Sequence, residues 1–187
     1  DVVAKPSLSP AQARLVQLRR ALATRGLMEA VTFSFLSEDD AVRFGGGADN
    51  LKLVNPISAD LSVMRPSILP NLLSASARNQ DRGEADAAMF EVGPVFLGDA
   101  PEDQRTAATG IRHGGTAPRE WHGSSRAIDV FDARADAEAA LAALGVKLAG
   151  VQVKAEGPDW FHPGRRGQLI QGRTVLASFG EIHPAVA

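Results

Sequence analysis

Two hydrophobic periodicities run through this chain without alternating regularly, and that disorder of pattern restricts the fold. Helical spacing appears in three long segments. In SLSPAQARLVQLRRALATRG, Ala11, Leu15, Leu18 and Leu22 form one stripe, Ser9 is placed to cap, Pro10 suits the first helical position and Gly26 lies just past the end. SILPNLLSASARNQDRG carries Leu69, Leu72, Leu73 and Ser76 on its core side, with Gly83 closing it. Pro66 or Pro70 must precede it or sit in its first turn, because an interior proline loses a hydrogen bond and clashes. DVFDARADAEAALAALG places Ala133, Ala137, Ala140, Leu141 and Leu144 on one face, and SEDDAVRFGGG reads as a short capped helix.

Period-two segments lie between and after these helices. Val31, Phe33 and Phe35 alternate with Thr32 and Ser34, which predicts a half-buried strand, and NLKLV predicts a second short one ended by Asn55-Pro56. AAMFEVGPVFLG is a strand with Phe90, Val92 and Phe96 on a common side, where Gly93-Pro94 implies an edge position or a bulge. APEDQR is a polar tip, TAATGIRHGG the returning strand, TAPREWHGSSRAI irregular and VQVKAE a further strand. GQLIQGRTVLASFGEI reads as a hairpin turning near Gly172-Arg173, with Val175, Ala177 and Phe179 alternating. Strands are joined by hairpins as often as by helices. The expected fold is therefore α+β on a mainly antiparallel sheet, not a doubly wound one.

The 187 residues suit one domain over 1–187, with 1–9 as a linker, and are enough to bury a core without staples. No cysteine is present, which excludes disulfides, thiolate metal sites and a cysteine nucleophile. A net charge of −2 gives no global electrostatic case for nucleic acid. No apolar run approaches the roughly 20 residues of a membrane span. The opening DVVAKPSLSP has no initiating Met, and GEIHPAVA stops without a closing element, so the chain is expected to be a piece of a longer one.

Few residues announce chemistry. There is no GxxxxGK[ST] and no GxSxG, and the glycine runs at 45–47 and 114–115 lack a strand-then-helix context. Asp39-Asp40 and Glu102-Asp103 fall in expected surface turns. Of the histidines His113, His122, His162 and His183, the last two precede prolines, and a metal site there would need Glu181 to converge with them. In WFHPGRRG, Arg165 and Arg166 could fork onto a phosphate or carboxylate, or simply be exposed in a tight turn. Arg14, Arg19, Arg20 and Arg25 flank the first helix's stripe, as a solvated face or as contacts to a partner or RNA.

NPISADLSVMRPSILPNLL, then RNQDRG, MFEVGPVF, WFHPGRRG and FGEIHP, in that order, resemble the β subunit of bacterial phenylalanyl-tRNA synthetase. The resemblance covers almost the whole chain and points to its core module, which has the class II aminoacyl-tRNA synthetase fold. It implies that the other β-subunit modules lie outside this segment. Residues 10–35 take the place of motif 1, making Leu15, Leu18, Arg19 and Leu22 candidates for a subunit interface. It implies an α-subunit partner in an (αβ)2 heterotetramer, tRNA as a ligand of the whole enzyme, ATP and Mg²⁺ as that enzyme's cofactors, and a cytoplasmic location.

The resemblance also carries departures. Catalytic members have an ATP-binding arginine on the motif 2 strand, where this chain reads Val95, Phe96, Leu97, and no glycine-rich motif 3 string follows. It therefore implies a non-catalytic copy, with no cofactor or metal of its own, that supports the α subunit. Arg65 then becomes a fold-fixing residue paired with Glu91, and His162, Arg165 and His183 remain as structural or vestigial-site candidates. The alternatives are a stand-alone class II-like ligase using Arg65, Arg165 or Arg166 on phosphate, and an anion-binding α+β domain.

Overall fold

The computed structural model describes residues 7–117, 121, 123 and 125–186. His122 and residues 1–6 of the expected linker lie outside the described residues.

Helix α1 (Pro10–Thr24) starts where its cap dictates. The Ser9 hydroxyl accepts from the Gln12 amide, and the Gln12 side chain accepts from the Ser9 amide, satisfying two otherwise orphaned donors. After Arg25, Gly26 takes φ +80°, the left-handed conformation that ends the helix cheaply. Its stripe then meets the sheet: Leu18 and Leu22 pack with Leu27, Phe90 and Val92.

The first sheet holds β1 (Met28–Glu29), β4 (Ala87–Phe96) and β5 (Gln104–His113), in the order β1-β4-β5. β1 runs parallel to β4, and β4 and β5 form an unbroken antiparallel ladder from Ala87↔His113 to Phe96↔Gln104. The expected bulge at Gly93-Pro94 does not form, since Gly93 faces Ala107 and Pro94 faces Thr106 in register. The proline is tolerated because β1 pairs only as far as Phe90, which leaves that end of β4 a local edge. One face of β4 takes α1; the other packs Met89 and Val95 against Ile68 and Leu72 at the start of α3 (Leu69–Gln80). Pro70 lies in the first turn of α3, where no hydrogen bond is lost.

Between these elements lie β2 (Phe35–Leu36), α2 (Glu38–Arg43) and β3 (Val63–Met64), with β2 antiparallel to β3. The strand expected at NLKLV is a 3-10 turn at Asp49–Leu51, followed by one bridge from Lys52 to Val63. The continuous strand expected over Val31–Phe35 is likewise broken. Regular pairing stops at Glu29 and resumes at Phe35, and Val31 and Phe33 are 90% and 65% exposed. The backbone between them is bonded by side chains, as described below.

The second three-stranded sheet joins β6 (Gln152–Lys154), β7 (Phe161–Gln171) and β8 (Thr174–Ile182) in that order, all antiparallel. The β7–β8 turn falls at Gly172, φ +61°. Helix α4 (Val130–Ala143) lies on this sheet, with Ala133, Ala137 and Leu141 beside Leu169 and Phe179. Asp129 and Asp132 make its capping box. Ala140 of α4 also touches the α1 cluster, so this helix links the two sheets.

Candidate functional site

Four places carry the residues singled out in the sequence. On α1, Leu18 and Leu22 are 5% and 4% exposed and are used in the chain's own core; Leu15 is half-buried against the same cluster. Leu18 and Leu22 face inward because the sheet beneath them offers apolar area to cover. Arg19 turns its guanidinium to Glu29 at 2.7 Å and to the Val92 carbonyl at 3.2 Å. Large apolar side chains nearby that do face solvent are Met28, 73% exposed, with Val31 and Phe33.

Beneath those residues lies a sealed polar knot. Arg65 is 1% exposed and Glu91 4%, and the Arg65 Nη2 stands 2.8 Å from Glu91 Oε1. Arg65 Nε donates to the Pro94 carbonyl at 2.8 Å, and Nη1 donates to Thr32 Oγ1 at 3.0 Å and to the Phe33 carbonyl at 3.4 Å. Glu91 Oε2 accepts from the Thr32 hydroxyl at 2.6 Å and from the Thr32 amide at 3.2 Å. The Asn71 side-chain amide donates to the carbonyls of Phe33 and Phe35. The backbone of Arg65 contributes too: its amide donates to Ser34 and its carbonyl accepts from Phe96. A buried backbone must have all its polar groups paired, and here side chains supply partners that a neighbouring strand would otherwise provide. Gly93 makes room, because a Cβ there would stand 2.7 Å from Arg65 Nη2.

The HPGRRG and EIHP strings meet across β7 and β8. HPGRRG is an irregular part of β7, with a register shift between Phe161 and Arg166, and not the tight turn that its glycines suggest. Arg165 forks onto Glu181, whose carboxyl is lowered below its ordinary pKa mainly by that hydrogen bond. Arg166 donates to the Pro158 carbonyl and to Asp159. Both guanidinium groups make bonds within the chain, while the buried Arg166 Nε has no hydrogen-bond partner. The rings of His162 and His183 stack with centroids 6.2 Å apart. Each Nδ1 accepts a backbone amide two residues along, from Gly164 and Ala185. Among the described residues no three His, Cys, Asp or Glu side chains converge in a way that could hold a metal ion, so Glu181 does not complete a site with the two histidines.

The fourth place is the β4–β5 hairpin. Leu97, just past β4, is 62% exposed. An open groove of about 400 Å³ lies beside it, lined among others by Leu51, Lys52, Met64, Phe96, Asp99 and Gln104. The Lys52 ammonium in its wall is held by Glu38 at 2.8 Å and Asp49 at 2.9 Å, which raises its pKa. A polar triad missed in the sequence links the two sheets. Asp136, 7% exposed on α4, accepts from Arg25 Nε at 2.5 Å and from Arg112 Nε at 2.6 Å. Nothing in the helical pattern separates this aspartate from a solvated one.

The architecture is that of class II aminoacyl-tRNA synthetases: a pyrrolysyl-tRNA synthetase from Desulfitobacterium hafniense superposes with a TM-score of 0.63 at 15% identity, covering 90% of this chain and 55% of that one. The likeness at that identity is one of fold. The family model described as the phenylalanyl tRNA synthetase beta chain CLM domain matches residues 2–187, and the chain belongs to that family. It is 54% identical over 185 residues to the phenylalanine–tRNA ligase beta subunit of Rhodospirillum rubrum, and 54% identical over 182 residues to that of Paramagnetospirillum magneticum. It covers 99% and 97% of this chain in the two cases, and spans 23% of the length of each relative.

Proposed function

We propose that this chain is the non-catalytic, class II-fold core of a phenylalanine–tRNA ligase β subunit, and that its task is to support the α subunit and complete an (αβ)2 assembly. The parent enzyme attaches phenylalanine to its tRNA in the cytoplasm, using ATP and Mg²⁺. The observation that carries the reading is the state of Arg65. A phosphate-binding arginine must aim free donors into a solvent-reachable site. Arg65 is 1% exposed and commits its donors to Glu91, Pro94, Thr32 and Phe33. Arg165 forks onto Glu181 and Arg166 bonds Pro158 and Asp159, though neither is sealed as Arg65 is, and the groove by the hairpin has Lys52 in its wall already neutralised. This weighs against the stand-alone ligase and against the anion-binding domain.

The outward-facing part of the motif 1 region supplies the partner surface. With Leu18 and Leu22 turned inward, that surface is the exposed Met28, Val31 and Phe33 together with the polar face of α1. Calorimetric titration of MgATP into the chain is expected to give no heat of binding, and micromolar binding would overturn the reading. Co-elution of the full-length parent with the α subunit on size exclusion is expected, and independent elution would remove the scaffold role.

A further inference from the structure

The two histidine–proline strings, HPG from His162 and HPA from His183, fold in the same way. In each, the histidine Nδ1 accepts the backbone amide two residues along, at 3.1 Å. The proline between them has no N–H, so that amide is the first donor the ring can reach. An accepting nitrogen carries no proton, and each neutral ring therefore holds its hydrogen on Nε2. His162 is the second residue of β7 and His183 the first after β8, with the ladder pair Phe161↔Ile182 beside both. The half-buried rings are thereby brought to 6.2 Å between centroids and 26° from parallel. The backbone is tied at the same place: the His183 amide donates to the Trp160 carbonyl, and the Val186 amide to the His183 carbonyl.

A second proton on the rings would undo this arrangement. An imidazolium is a donor at both nitrogens, so neither Nδ1 could accept. Two amides would lose their partners, and two positive rings would face each other. The carboxylates on these strands are already taken, Glu181 by Arg165 and Asp159 by Arg166. Glu181 is held below its ordinary pKa mainly by Arg165, so it stays ionised and paired in mild acid. The other elements packed on this end bring apolar side chains: Phe44 after α2, Leu69 and Leu73 of α3, and Ile111 of β5, grouped with Phe161 and Ile182. We infer that His162 and His183 form a paired clasp, closed while both rings are neutral and released by acid, which fixes the β7–β8 end of the second sheet against α3 and β5. The clasp goes beyond the scaffold reading and does not depend on it.

The test is hydrogen–deuterium exchange of the full-length parent, read by mass spectrometry in peptides spanning 160–166 and 181–186, with labelling times scaled to the intrinsic exchange rate at each pH. The titration runs from about pH 8 to about pH 5, the range in which imidazole ordinarily changes charge. Protection of the two peptides is expected to fall together, about tenfold or more, as acid is added, while α1 peptides keep theirs. In the double variant His162→Asn/His183→Asn, a side-chain oxygen can still accept the amide two residues along, but it takes up no proton in this range. That variant should stay protected at every pH. The double variant His162→Phe/His183→Phe keeps two rings and loses both acceptors, so at pH ~8 it should be as open as the parent is at pH ~5. Protection of the parent that acid leaves unchanged would overturn the inference. So would an equal acid loss in the asparagine variant, or full protection in the phenylalanine variant. A fall in one peptide without the other would mean two independent turns and no clasp, and a matching fall in the α1 peptides would mean general unfolding; either result also overturns it.

Discussion

The Arg65 guanidinium and the Glu91 carboxylate lie 2.8 Å apart with almost no access to water, and they join three stretches of chain that are distant in sequence. Arg65 follows β3, Glu91 is in mid-β4, and Thr32, bonded to both, belongs to the irregular link between β1 and β2. Breaking the pair from either side leaves a charge buried without its partner. Arg65→Met or Glu91→Leu alone should lower unfolding free energy by about 3–5 kcal/mol, as measured by urea denaturation. The double substitution should cost less than the sum of the two, because it leaves no uncompensated charge in the core.

Gly93 is a second route to the same network. Its backbone is an ordinary strand, so the constraint is space and not φ. An alanine Cβ would stand 2.7 Å from Arg65 Nη2 and 3.2 Å from Glu91 Oε1. Gly93→Ala should therefore destabilise by about 1–3 kcal/mol, despite alanine's better fit to an extended strand. In the Glu91→Leu/Arg65→Met background most of that loss should vanish, which thermal melts of the four chains would show.

Asp136 is held by two arginines from different elements, Arg25 at the end of α1 and Arg112 in β5. The Arg112 Nη2 also donates to the Arg25 carbonyl at 2.7 Å. Asp136→Ala removes the shared acceptor and leaves two partly buried cations. The expected loss is about 1–3 kcal/mol, smaller than for the sealed pair because water still reaches the arginines. Faster amide exchange at the N-terminal end of α4 relative to β4 would be a poor outcome for this account; loosening should centre on the contact of α1 with α4.

The start of α4 gives a pH dependence. Asp132 is bonded first by the Arg126 side chain, with burial opposing and the Asp129 amide adding, and its pKa falls from 3.8 to about 2. A carboxyl lowered in the folded state contributes stability above its unfolded pKa and loses it as pH falls through the folded value. The contribution should be intact above pH ~4 and gone by pH ~2. Asp132→Asn should flatten the stability–pH curve in that window, and Arg126→Gln should raise the Asp132 pKa as followed by carboxyl NMR.

Local signals in the sequence decide most of the elements. The Ser9 and Asp129 caps, the proline at the start of α3 and the turn at Gly172 depend on residues within a few positions of one another, so the sequence alone places α1, α3, α4 and the last hairpin. The ordered strings from NPISADLSVMRP to FGEIHP are enough to name the family. Which side of an element meets the core is a different question, because periodicity marks a stripe without saying what covers it. The alternation of Val31, Phe33 and Phe35 looks like a strand burying its apolar side, yet the structure turns Val31 and Phe33 outward and Thr32 toward Glu91. Glu91 and Arg65 lie far along the chain from Thr32, and they bond it only once the fold brings the three together. The burial of Asp136 has the same origin, since its two arginines arrive from α1 and β5. Hydrogen bonding within a turn is written in neighbouring residues; the pairing of buried charges is set only when the sheet and helices bring distant segments into one low-dielectric space.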